Sequence, residues 1–174
     1  MDLIEDLKAR ARLLHRAASA GEAPAAERVR ELAELAELDD AALRERLQRR
    51  HCLSVIAREL GFRDWKHARD VLSAPGQVPD FGTLLYPPRC VVHWNIWSAH
   101  YEEAREIRAQ HGGFLLAYRH QFLIVDRHYI ETLGLSPEDP DWEALGRDWV
   151  RPGDPAARSR LYGKLLELDA RARA

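Results

Sequence analysis

The stretch His51 to Leu72, HCLSVIARELGFRDWKHARDVL, constrains the fold of this chain more than any other segment. Leu53, Ile56, Ala57 and Leu60 recur at helical spacing, and Gly61 stands where a helix ends on a left-handed residue that costs glycine nothing. Asp64 is placed to cap a second helix whose apolar side runs from Trp65 through Ala68 to Val71 or Leu72. The segment therefore predicts two short helices joined by a glycine corner with a tryptophan anchor. It names no reaction.

Ala57, Arg58, Glu59, Gly61, Phe62 and Trp65 match the pattern ARE-x-GF-x-x-W. In this the segment resembles a small helical module at the N-termini of some bacterial ankyrin-repeat and glyoxalase-superfamily-like proteins. Asp64 stands where that module often has serine, and Ala68 where it usually has leucine. No ankyrin period and no glyoxalase metal-ligand pattern follows, so the resemblance implies a bacterial, intracellular helical module and nothing catalytic.

Ile56, Ala57, Leu60, Gly61 and Phe62 are also similar to the first helix and turn of a helix-turn-helix, with Lys66, His67 and Arg69 as the residues to meet DNA. Residues 40 to 72 hold eight Lys or Arg against five Asp or Glu, within a chain of net charge -2. Binding driven by phosphate contacts needs a more lopsided surface, which disfavours nucleic acid as a partner.

Helical periodicity extends upstream. Residues 2 to 20 place Leu3, Leu7, Ala11 and Leu14 on one face and end at Gly21. Pro24 opens a second helix, carrying Val29, Leu32 and Ala33, that is expected to run to Asp39. Asp40 is expected to cap a third with Leu43 and Leu47. Residues 74 to 89 contain four prolines and two glycines and are expected to cross the surface as an extended connection.

A change of period follows. From Cys90 to Trp97, Val92, Trp94 and Ile96 alternate with His93, Asn95 and Trp97, which predicts a strand. Ser98 is expected to cap the helix HYEEAREIRAQH, which Gly112 and Gly113 end. FLLAYRHQFLIV, residues 114 to 125, reads as one long strand or as a hairpin turning at Arg119 to Gln121. Helices follow around Tyr129 to Leu133, from Asp139 and Pro140 through Trp142, Leu145 and Trp149, and from Asp154 and Pro155 through Leu161, Leu165 and Leu168. The expected fold is thus α+β and mostly helical: an N-terminal helical bundle (1–73), a Pro/Gly-rich connection (74–89), and a small two- or three-stranded sheet packed with helices (90–174). One compact unit overall is the alternative.

At 174 residues, 46% hydrophobic and 31% charged, the chain has ordinary globular composition and length enough for a core. No apolar run reaches the length of a membrane span, and the N-terminus alternates acids and bases, so a cytoplasmic protein is expected. Cys52 and Cys90 do not make a disulfide framework. Cys90 and His93 lack a second pair of ligands, and no metal or cofactor is assigned. Glu102 with Glu103, and Asp139 with Asp141, read first as helix-terminal acids.

Polar groups set among apolar strand residues need partners, and a ligand can be that partner. His93, Asn95, Trp97, Tyr101, Arg105, Tyr118, Arg119 and Gln121 are the candidate set for such a pocket, with aromatic walls and a few directional donors. The leading expectation is a binding or regulatory module that recognises a small anionic molecule or a protein partner through this face. A small enzyme using His93, Tyr118, Arg119 or His120 is the first alternative, although no catalytic signature is found. The DNA-binding regulator is the second.

Overall fold

The computed structural model describes residues 2–172. It is a mostly helical α+β protein made of two compact units, one from Asp2 to Arg69 and the other beginning at Asp70. Among the described residues, no helix is long and apolar enough to cross a membrane.

In the first unit α1 (Leu3–Ala20) starts at Asp2, whose carboxylate accepts from the N–H groups of Ile4 and Glu5. Its buried residues, Leu3, Leu7, Ala11, Leu14 and Ala18, form the stripe that the spacing predicts, and α1 packs on α2 (Ala23–Arg30) and α4 (Arg49–Glu59). The second helix is shorter than its periodicity suggests. It stops at Arg30 and gives way to turns, in which Leu32 and Leu35 are still buried. Asp39, not Asp40, caps α3 (Asp40–Arg46), accepting from Ala42 N–H at 2.8 Å. Arg28 and Glu59 pair at 2.8 Å and tie α2 to α4.

The corner after α4 forms as expected. Gly61 has φ +82°, and Phe62 N–H returns to Ala57 O at 2.9 Å while its ring is buried. Asp64 Oδ1 accepts from His67 N–H at 2.8 Å at the start of α5 (Trp65–Ser73).

The second unit is built on a three-stranded antiparallel sheet of order β1-β3-β2, with β1 Ile96–Ser98, β2 Phe114–Tyr118 and β3 Gln121–Val125. Residues 114 to 125 are therefore a hairpin, with Tyr118 paired to Gln121 across the loop Arg119-His120. One face, bearing Leu115, Ala117, Phe122 and Ile124, packs with Tyr101 and Ala104 of α6 (Tyr101–His111), Phe81 and Val150. On the opposite face Phe114 meets Trp142, which contacts Trp149, which in turn meets Tyr162. The helices α7 (Arg127–Leu133), α8 (Pro140–Ala144) and α9 (Pro155–Ala172) complete the unit.

Three expectations are corrected here. Residues 74 to 89 do not merely cross the surface, because Phe81 and Leu85 are buried and Tyr129 donates its hydroxyl to Leu85 O at 2.7 Å. Residues 90 to 95 are not strand; Pro88–Cys90 is a 3-10 turn, further turns follow, and only Ile96–Ser98 pairs. Trp149 lies beyond α8, in a segment that runs beside β2.

Candidate functional site

The eight candidate residues do not converge. His93 and Asn95 precede the strand that was expected to carry them. His93 Nε2 lies 2.9 Å from Thr132 Oγ1, and its ring sits edge-on to Tyr129. Asn95 Nδ2 donates to His93 O at 3.2 Å, a local contact, while its Oδ1 is buried with no hydrogen-bond partner among the described residues. Trp97 and Tyr118 do meet, in a three-ring cluster with Tyr86 whose centroids are 5.2 to 5.9 Å apart. Gln121 is exposed at the start of β3, and Arg105 is exposed on α6, 3.6 Å from Glu102.

Tyr101 and Arg119 belong to a different place. Tyr101 is buried under the sheet and donates to Asp148 Oδ2 at 2.6 Å; burial and that carboxylate both push its phenol well above the ordinary range. Arg119 is at the hairpin tip with φ +52°. Both line a cleft between the tip, the start of α6 and residues 77–81.

Two further expectations change. Ser98 is not a simple cap: it ends β1, accepts from His100 N–H at 2.9 Å and donates to Glu103 Oε2 at 2.5 Å, and α6 starts after His100. Of the DNA-facing set Lys66, His67 and Arg69, His67 is only 7% exposed, its ring against Phe62 and its Nδ1 accepting from Arg63 N–H. These three residues therefore do not form one exposed basic face. Asp139 and Asp141 are committed to α9: Lys164 pairs with both and Arg160 with Asp141 at 2.6 Å, which holds the Asp141 carboxyl below its ordinary value.

The residues that stand out in the structure belong to the run whose alternation predicts a strand. Trp94 is fully exposed at 101%, Val92 is 80% exposed, and Val91, Ile96 and Trp97 are also exposed. Five large apolar side chains thus face solvent within seven residues that carry no Asp, Glu, Lys or Arg. The alternation itself gave no sign of this, since a solvated apolar turn and a half-buried strand share the same letters.

This strip leads into an open sheet edge. A two-residue hairpin loop closes on a hydrogen-bonded pair, here Tyr118 with Gln121, so the bonded pairs of β2 and β3 alternate from there to Leu116 with Leu123 and Phe114 with Val125. The peptide groups of Phe122 and Ile124 then face β1, where they meet Ser98 and Ile96. Trp97, between those two, turns its N–H and C=O away from the sheet, and among the described residues neither has an assigned hydrogen bond. The far edge is different. Leu115 N–H donates to Arg147 O and Leu115 O accepts from Trp149 N–H, both at 2.9 Å, while Arg119 exchanges backbone bonds with Phe81 and Gly82. One edge is bonded at Leu115 and at Arg119 with the intervening Ala117 buried, and the other is bare beside an apolar strip. No family model matches this chain, and no curated protein or solved structure matches it.

Proposed function

We propose that this chain is a binding module that takes an extended, uncharged segment of a partner protein as an added strand at the edge of β1. The observation that carries the reading is the bare peptide group of Trp97 flanked by exposed Val92, Trp94 and Ile96. Strand addition draws affinity from main-chain hydrogen bonds and specificity from alternate side chains, and this edge offers both. Trp94, in the unpaired stretch just before β1 and fully exposed, is the anchor the partner covers.

Area and charge select the occupant. Counting about 200–250 Å² for a whole Trp, the five side chains expose roughly 600 Å², at the upper end for a patch on a monomer. A stable dimer interface covers about 800 Å² on each side, so the strip suits a peptide segment better than a second copy. Residues 90–98 carry no Asp, Glu, Lys or Arg to attract a charged partner, which favours a neutral segment with alternating apolar residues.

Selection of random ten-residue peptides on the wild-type protein, with the enriched sequences remeasured on Trp94→Ala, tests this. Expected are neutral peptides with alternating apolar residues, quenching of tryptophan fluorescence on binding, and about tenfold or greater weakening by Trp94→Ala without loss of stability. N-methylation of the peptide at the position facing Trp97 should abolish binding. Binding indifferent to both changes overturns the reading, and a concentration-dependent dimer in sedimentation transfers the edge to a second copy.

A further inference from the structure

The hairpin tip closes one side of a cleft of about 400 Å³, whose other walls are Gln77, Val78, Pro79 and Phe81, the first residues of α6 and Arg151. We infer that this cleft binds a small organic molecule through a carboxylate or phosphate oxyanion seated on Arg119. The inference is independent of the strand-addition reading, which concerns the outward peptide edge of β1 and the exposed apolar residues within 91–97.

One half of the cleft is already fixed. Arg151 donates to Glu102 Oε1 at 2.7 Å and to Gln77 Oε1 at 3.3 Å, and its guanidinium lies 4.0 Å from the centre of the Tyr101 ring. Tyr101 is in turn held by Asp148. Glu102 is therefore paired with Arg151, and each of the three Arg151 nitrogens already donates to a neighbour. Arg119 differs. Among the described residues its guanidinium has no carboxylate at ion-pair distance, and its one ring contact is Tyr118, at 5.5 Å. The cleft thus holds one uncompensated positive charge presented on a planar fork, the arrangement that matches an oxyanion.

The tip that carries this charge is rigid. Phe81 N–H donates to Arg119 O at 3.0 Å and Arg119 N–H to Gly82 O at 2.8 Å, so its peptide groups are pinned on both sides. The φ of +52° at Arg119 is one that a two-residue hairpin ordinarily gives to glycine or asparagine. Strain of this kind persists at ligand clamps because the surrounding structure over-determines it. A cleft of this size falls in the range of small-molecule sites.

The remaining walls define the rest of the ligand. His120 Nδ1 lies 2.7 Å from Pro79 O, and because a carbonyl only accepts, Nδ1 carries the hydrogen and Nε2 is the ring nitrogen left for a polar group of the ligand. Val78, Phe81 and Phe122 supply apolar surface. The ligand class is an organic acid or phosphate monoester with a compact apolar body.

Benzoate and phenyl phosphate, titrated separately into the whole protein and followed by amide chemical shifts, distinguish the two oxyanions. Expected are saturable shifts confined to residues 77–82, 99–102, 118–122 and 151 with at least one probe. Arg119→Gln should weaken that binding about tenfold or more, and Arg119→Lys should weaken it less, since an ammonium keeps the charge and loses the fork. Arg127→Gln on α7, where Arg127 already pairs with Glu138 at 2.5 Å, should change nothing. Failure of both probes to give saturable, localised shifts overturns the inference, as does binding that Arg119→Gln leaves intact.

Discussion

Arg158 is the residue whose replacement should damage the second unit most. It lies on α9, is 2% exposed, and donates to the carbonyls of Trp149 at 2.9 Å, of Gly76 at 3.2 Å and of Ala74. Burial lowers its pKa against the opposing pull of Tyr162 and the Asp148 carboxylate, and since no carboxylate hydrogen-bonds it among the described residues, its hydrogen bonds all go to main-chain acceptors. Arg158→Met keeps most of the stem and removes every donor. The buried Trp149 carbonyl then loses a charge-assisted bond, which costs about 1.5–3 kcal/mol, while the half-buried carbonyls of Ala74 and Gly76 recover part of their loss by rehydration. Releasing the desolvated guanidinium offsets some of this, leaving a net destabilisation of about 2–4 kcal/mol. Arg158→Ala adds lost packing and should reach about 3–5 kcal/mol. Urea unfolding followed through the buried Trp142 and Trp149 reads the change directly, because both belong to this unit. An unfolding free energy for Arg158→Met within about 0.5 kcal/mol of wild type would refute the argument, since it would mean that the three carbonyls need no donor.

Other perturbations have equally definite outcomes. Gly61→Val should destabilise by about 1–3 kcal/mol in thermal or urea unfolding, because φ +82° strains a β-branched residue. Gly113→Ala should cost about 2–4 kcal/mol by the same measurement: φ is +87° and the new methyl would sit 2.5 Å from Val125 O, a backbone atom of the paired strand. Burial holds the His51 imidazole below its ordinary 6.5, so as the pH falls past that value the unfolded chain takes up a proton that the folded unit refuses. Amide exchange in α1 and α4 should accordingly show full stability above that pH and a decline below it, and His51→Gln should flatten the slope. Burial pushes the Cys52 thiol up to about 11 and raises Cys90 as well, so neither should react with iodoacetamide at neutral pH until the protein is unfolded. Rapid modification of the native protein would contradict their burial.

Local signals in the sequence were read correctly where one element's own chemistry decides the outcome. The α1 stripe and the Gly61 corner need only helical spacing and one permissive residue. Elements whose ends depend on contacts elsewhere were misplaced. Apolar spacing carried the second helix past Arg30, but Leu32 and Leu35 are buried from turns, which satisfy the same period over so short a stretch. Val92, Trp94 and Ile96 alternate as a strand does, yet no neighbouring strand pairs with 90–95, and alternation records side-chain polarity without recording who supplies the ladder. The candidate site was half legible for the same reason. Tyr101 and Arg119 do line one cleft, because a hairpin brings its tip back to the helix before it. Gln77, His100 and Arg151 complete that cleft from distant positions, and no spacing rule connects them.

The difference between the two sheet edges limits how far association can go. If two copies of the chain paired through β1, each would use the same edge, and the resulting six-stranded sheet would end on both sides at β2. There residues 147–149 and 81–82 already occupy the outward peptide groups of Leu115 and Arg119, and Ala117 between them is buried, so a third copy would find no open row to extend. A single addition, of a peptide or of a twin, exhausts the pairing capacity of the sheet. The fold can therefore keep a sticky apolar edge in contact with solvent without templating a fibre, because growth terminates after one step.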